Sequence, residues 1–218
     1  EHLHLKESEG NWTPKQRSDA FYAYCFALGR SGRFVESHEI ARELAELAST
    51  HHGPDSQPYH NAKELFVDTL IDLHRLDEAE TACLDLIDSS EEVYGKDSMQ
   101  VAEHLVQLGR IYWSAGDTDK AADAYQRNVE IVQRKLGTNH RDSAIPLLSY
   151  GRALMSLNYD QGGDASNGLD IIREAYELIR SSNGSDNIWT LKAGIALVNA
   201  LVAYITQAET RDANLEFN

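Results

Sequence analysis

The tetrads Gly53-Pro-Asp-Ser, Gly95-Lys-Asp-Ser and Gly137-Thr-Asn-His recur at an interval of 42 residues. A second series keeps the same interval. Gly32-Arg-Phe, His74-Arg-Leu, Gly116-Asp-Thr and Asn158-Tyr-Asp each stand about 20 residues before the next tetrad position. Two turn signals per period divide each repeat into a pair of segments, so the unit is one hairpin. A hairpin of this size cannot bury its own apolar face, and an array of them is stable only by stacking neighbours, as in a solenoid.

Those segments read as helices. Only four prolines occur, no Val/Ile/Tyr-rich alternating run is bounded by turns, and Ala, Leu, Glu and Arg fill the periodic stretches. In the third repeat Val101, Leu105, Leu108, Tyr112 and Ala115 form an apolar stripe at helical spacing, returned by Ala121, Tyr125, Val129, Val132 and Leu136. The expected fold is all-α, an α-solenoid of antiparallel helix pairs with about nine helices. A segment 1–12 without helical signals precedes an array over 13–218, with units at about 18–59, 60–101, 102–143 and 144–190 and a partial unit at 191–218.

Local signals set expectations for the ends. Thr13, Pro14 and Gln16 supply an N-cap, a first-turn proline and a capping-box partner. Asp97 with Gln100 forms another capping pair, and Gly137 is placed for a left-handed C-cap. Pro146 sits within the first turn of a helix starting near Ser143. From the third to the fourth return helix the offset is 47, so five residues are inserted in the Gly/Asp/Asn-rich loop 158–167.

The fifth repeat has a first helix over about 186–206 and too little chain after it for a full return helix. Its Leu191, Ile195, Leu197, Val198, Leu201, Val202 and Ile205 cover more than one side, whereas a terminal repeat normally shows a polar outer face. Leu191, Ile195, Val198, Val202 and Ile205 are therefore candidates for self-association, a homodimer through the C-terminal helix, or for the interface of a missing repeat.

Chemistry-bearing patterns are missing from the chain. Thirty-five acidic against 20 basic residues give a net charge of −15, which repels nucleic acid. No H-E-x-x-H, paired CxxC, Gly-rich phosphate loop or G-x-S-x-G element occurs among nine histidines and two cysteines. Cys25 and Cys83 fall at apolar helix positions, as small buried hydrophobes do. No catalytic, cofactor or metal residues are expected. No apolar run reads as approaching the roughly 20 residues of a membrane span, and the N-terminus lacks signal-peptide regions, so the expectation is a cytoplasmic protein with no membrane partner.

Leu108-Gly109, Tyr112, Gly116, Ala121 and Tyr125 stand at the spacing of the packing residues of tetratricopeptide repeats. Over roughly residues 14–206 the chain resembles that family. The 42-residue period with Leu136-Gly137-Thr-Asn-His140 between units resembles the long repeats of kinesin light chain in particular. Small residues at Gly109, Gly151 and Ala121 let helices approach, while Tyr112 and Tyr125 fill the gaps. Units one and two carry Cys25 and Val67 at the small position.

The resemblance implies a right-handed superhelix whose first helices form a concave surface for a peptide or partner helix. Aligning the units places Tyr22, Phe26 and Arg30, then Glu64, Asp68 and Asp72, then Val106, Arg110 and Trp113, then Leu148, Arg152 and Met155 on that surface. Where kinesin light chain repeats carry paired asparagines, this chain has Tyr22-Ala23, Glu64-Leu65, Val106-Gln107 and Leu148-Ser149. The lysine and asparagine clamp of chaperone-binding repeats is likewise missing. The expected function is a non-enzymatic scaffold or adaptor binding a protein or peptide ligand in the groove. The alternatives are a regulatory or sensor segment of a larger enzyme or signalling protein, or a self-associating domain.

Overall fold

The computed structural model describes residues 14–53, 55–138, 140–160 and 164–216. The segment 1–12, the Thr13 cap and the centre of the inserted loop lie outside the described residues. Among the described residues there are nine α-helices and no strand: α1 (Pro14–Arg30), α2 (Phe34–His52), α3 (Gln57–Asp72), α4 (Leu76–Tyr94), α5 (Met99–Ala115), α6 (Thr118–Leu136), α7 (Ala144–Asp160), α8 (Ser166–Asn183) and α9 (Ile188–Glu216). A 3-10 turn, Arg141–Ser143, leads into α7, which puts Pro146 in the first helical turn, where its missing N–H costs no helical bond.

The repeat beat has a backbone cause. Gly53, Gly95, Gly137 and Gly184, which close the four return helices, all have positive φ, as do Gly32, His74 and Gly116 inside the hairpins. Gly116 is a left-handed cap (φ 81°, ψ 7°), and the bonds from Arg33 N to Leu28 O and from Arg75 N to Leu70 O at Gly32 and His74 repeat the one from Asp117 N to Tyr112 O. Gly137, expected to be one, has φ 96° and ψ 155°, a region open essentially to glycine alone. Its amide still bonds back to Gln133 O at 2.9 Å, and Gly53, Gly95 and Gly184 make the equivalent bond. This shared turn explains why the tetrads repeat.

The hairpins therefore run between these glycines. The unit boundaries expected at 59/60, 101/102 and 190/191 fall inside α3, α5 and α9, because the stops lie a few residues earlier, at the glycine turns. A separate helix after residue 206 is also not formed. Residues 207–216 contain neither Gly nor Pro, and α9 continues through them. Asp97 does not cap α5. Ser98 does, accepting from Val101 N, while Asp97 pairs with Arg134 at 2.7 Å.

The chain divides into two compact bodies, 1–75 and 76–218. In the first, Phe21, Cys25 and Leu28 of α1 pack with Ile40, Ala41, Leu44 and Ala45 of α2 and Ala62 of α3. Cys25 and Ser37 lock the first two helices together: Ser37 Oγ donates to Cys25 O at 3.0 Å. In the second body, α5 and α6 close on Ala121, Ala122 and Tyr125, with Ala153 of α7 completing the cluster. Farther along, Met155, Ala165, Leu169, Ile172 and Ala200 join α7, α8 and α9.

One expectation about composition is corrected by this fold. Ile188–Glu209 of α9 is long and apolar enough to cross a membrane. Thr190, Lys192 and Asn199 break the apolar run in the sequence, but on a single helix they do not break its length. One side of α9 is instead packed within the second body through Ala193 and Ala200, at 1% and 7% exposure.

Candidate functional site

Within the second body, the first helices of the third, fourth and fifth repeats line an open cavity of about 530 Å³. Trp113 comes from α5; Arg152, Met155, Ser156 and Tyr159 come from α7; Lys192, Ile195, Asn199 and Gln207 come from α9, with the buried Ala165 and Ile172 of the fourth repeat behind them. Each contributing helix is held by its own packing: Gly151 and Gly168 let α7 and α8 approach so closely that a Cβ on Gly151 would lie 2.8 Å from Ile172 Cγ1. The close approach fixes where α7 and α8 stand at the cavity wall.

Two cations border this space, each resting on an indole. The Arg152 guanidinium lies 5.4 Å from the Trp113 ring centre, and Lys192 Nζ lies 4.8 Å from that of Trp189. Among the described residues no carboxylate forms a salt bridge with either one, whereas Arg127, Arg134, Arg173 and Arg180 pair with Glu91, Asp97, Asp170 and Glu177. In a chain of net charge −15 the cavity is thus a local exception: apolar walls with positive charge at the edge. Such a site favours a ligand that presents an acidic group beside a bulky apolar one.

Of the residues expected on the concave surface, Trp113, Arg152 and Met155 come together here. Met155 is a wall residue rather than an exposed contact, being 8% exposed and packed among Ala165, Leu169, Ile172 and Ala200. Leu148 and Val106 are half-buried. Leu148 packs against three core clusters, two of them built partly by α9, and Val106 packs with Tyr125 and Ala153. Neighbouring first helices cover both side chains, and a single-helix alignment does not show that. Arg110 is exposed but does not line the cavity.

The other six lie in the first body. Phe26 is 68% exposed, with Arg30 5.9 Å above its ring. The Tyr22 hydroxyl is buried without a hydrogen-bond partner, and burial, with Glu64 nearby, pushes its pKa far up. Glu64 and Asp68 are half-buried and Asp72 is exposed, its Oδ2 3.8 Å from where a Cβ of Gly29 would stand.

Lys192, Asn199, Ser156, Tyr159 and Gln207 were not among the expected contacts. A signal for Asn199 exists in the sequence: carrying the 47-residue offset one helix further puts Ile195, Asn199 and Val202 in register with Leu148, Arg152 and Met155. Ile195, expected only in a self-association face, lines the cavity as well. Leu191, Ile195, Val198, Val202 and Ile205 are all between 52% and 58% exposed. No cluster of three or more metal-ligating side chains occurs among the described residues.

Electrostatics around the third repeat act on its tyrosines. Burial pushes the Tyr125 phenol up to about 12, against the lowering influence of Arg110 and Arg152. Tyr112 donates to Glu80 Oε1 at 2.9 Å and is also pushed up to about 12, first by burial and then by that carboxylate.

Comparison with known proteins agrees with this architecture. The tetratricopeptide repeat family model matches residues 60–127. Clustered mitochondria protein homologs of Aspergillus niger and Coccidioides immitis are 27% and 29% identical over 136 and 135 residues, 61% of this chain. The matched stretch spans 10% of those relatives' length. Among solved structures, the kinesin light chain nearly identical TPR-like repeats of Podosopora anserina superpose with a TM-score of 0.71 at 12% identity, covering 92% of both chains. BtubC (BKLC) from P. vanneervenii superposes with a TM-score of 0.65 at 17% identity over 84% of this chain and 70% of its own. Residues 60–127 match the tetratricopeptide repeat model, and the described residues have the fold of kinesin light chain-like repeat arrays.

Proposed function

We propose that this protein is a non-enzymatic interaction scaffold that takes a protein segment into the cavity between α5, α7 and α9. The observation that carries the reading is the pairing of Arg152 with Trp113 and of Lys192 with Trp189 around an apolar space, without carboxylates to neutralise either cation among the described residues. A peptide with an acidic side chain next to a large apolar one fits both features. Aromatic and arginine side chains that become buried on binding carry most of the energy in protein–peptide contacts.

The test is a peptide array probed with the 218-residue chain, followed by solution affinities for the selected peptides. Acidic–apolar sequences are expected to be selected, to lose affinity at least tenfold when the acid is changed to its amide, and to lose it again with Arg152→Glu. Selection of basic peptides, or binding unaltered by both Arg152→Glu and Trp113→Ala, would overturn the reading.

The relatives suggest a second setting for the same activity. Their matched stretch is about a tenth of a much longer chain, which favours a scaffold module acting within a larger protein. A cytoplasmic location is part of this proposal and is tested by fluorescence imaging of the tagged protein.

A further inference from the structure

The outer face of α9 has an order that the other first helices lack. Ile188, Ile195 and Val202 recur at seven residues, and Leu191, Val198 and Ile205 recur at seven between them. Together they make an uninterrupted a/d seam over three heptads, with β-branched residues at every a position. All six are open to solvent by similar amounts, from 52% to 58%. Directly opposite, at the f positions, Ala193 and Ala200 are buried within the second body. The seam therefore lies on the exposed side of α9, with Leu191, Ile195 and Val198 also lining a pocket beside Tyr176 of the same body.

We propose that this seam pairs with the α9 seam of a second copy of the chain. The charge pattern favours a like partner. Residues 188–208 contain no acidic residue, in a chain of net charge −15. The flanking e and g positions are Lys192, Asn199 and Thr206, and Asn187, Gly194 and Leu201. No like-charged pair of carboxylates is brought together by such a contact. Closing six half-exposed aliphatic side chains and their flanks on two copies removes roughly 1,000 Å² from water, the threshold of a specific interface. A uniform aliphatic strip with a 3.5-residue period is what two helices need to stay in contact along their length.

Of the six seam residues only Ile195 lines the cavity, and the flanking Lys192 and Asn199 line it too. The mass reports the pairing and peptide affinity reports the ligand reading, so failure of one is distinguishable from failure of the other. The experiment is sedimentation equilibrium of the full 218-residue chain from nanomolar to high micromolar concentration, alone and with neutral lipid vesicles. The mass is expected to rise from 24.4 kDa toward twice that value. Val198→Glu, at the seam's centre and 58% exposed, should hold the monomer mass throughout with unchanged helical circular dichroism and unchanged peptide binding. Val202→Lys should do the same and guards against misfolding of a single variant. A wild-type chain that stays monomeric at the highest concentration overturns the proposal, as does a dimer that persists in both variants. So does a seam that engages only vesicles while the mass in buffer stays that of one chain.

Discussion

A Cβ on Gly109 would stand 2.5 Å from Cε1 of Tyr125, which is itself only 4% exposed. Helices α5 and α6 are thus in contact at a distance that only a glycine permits. Gly109→Ala gains up to about 1 kcal/mol of helix propensity but forces the Tyr125 ring out of its well, at a cost of about 1–3 kcal/mol. The expected result is net destabilisation in urea titration. Gly29→Ala is the contrast: its nearest neighbour is Asp72 Oδ2 at 3.8 Å, an ordinary contact, so that change should be neutral or stabilise by a few tenths to about 1 kcal/mol. Equal effects from both would show that propensity rather than packing governs these positions.

The start of α5 separates a cap from an apparent one. Ser98 Oγ accepts from Val101 N, and Ser98 is 8% exposed. Ser98→Ala should lower stability by about 1 kcal/mol. Asp97 holds only an exposed pair with Arg134, so Asp97→Ala should shift the thermal midpoint little. The reverse ranking by calorimetry would restore Asp97 as the cap.

His74 is the only described non-glycine residue with positive φ, at 55°. It occupies the position that Gly32 and Gly116 fill in the neighbouring repeats. Left-handed backbone costs a non-glycine residue about 1–2 kcal/mol, and part of that gain is lost to the greater unfolded-state freedom of glycine. His74→Gly should therefore raise stability by several tenths of a kcal/mol, measured as a higher urea midpoint at constant slope.

Tyr112 and Tyr125 give the fold an alkaline limit. Both phenols are pushed up to about 12 from 10.0. Because the native state holds these protons more tightly than the unfolded chain, their contribution to stability is complete below pH 10 and falls as pH rises toward 12. Phenolate absorbance should show a late-titrating group, to which the raised Tyr22 and Tyr150 also belong, that Tyr112→Phe reduces by one. A single transition near the ordinary value would contradict the burial of both rings.

Ligand binding at the cavity should depend on salt. Arg152 and Lys192 are exposed cations, so ionic screening acts on them directly. Affinity for an acidic–apolar peptide is expected to fall from low to physiological ionic strength, with a shallower slope in Lys192→Ala. A salt-independent affinity would mean that apolar contact with Trp113 and Met155 is the whole interaction.

Much of the architecture was fixed locally and so was legible in the chain. The 42-residue beat follows from glycines in a backbone region that few other residues enter, and the stripes on α5 and α6 follow from helical geometry. Turn chemistry of this kind depends on a few adjacent residues. Exact helix starts were less accessible because Asp97 and Ser98 are adjacent competent caps, and in the fold Ser98 caps α5 while Asp97 pairs with Arg134 on another helix.

Burial at the candidate site was decided by neighbours distant in sequence. Leu148, Met155 and Trp113 look alike on a helical projection. Packing of α7 with α8 and α9 buries Met155 and half-buries Leu148, while Trp113 stays at a cavity edge under Arg152. The same packing brought in Lys192 and Asn199 from a repeat that the four-unit alignment had left out. The sequence by itself determined the repeat, its helices and their turns, because each depends on residues within one hairpin. Only the tertiary structure decided which side chains of the first helices remain available to a partner, because that depends on how successive hairpins cover one another.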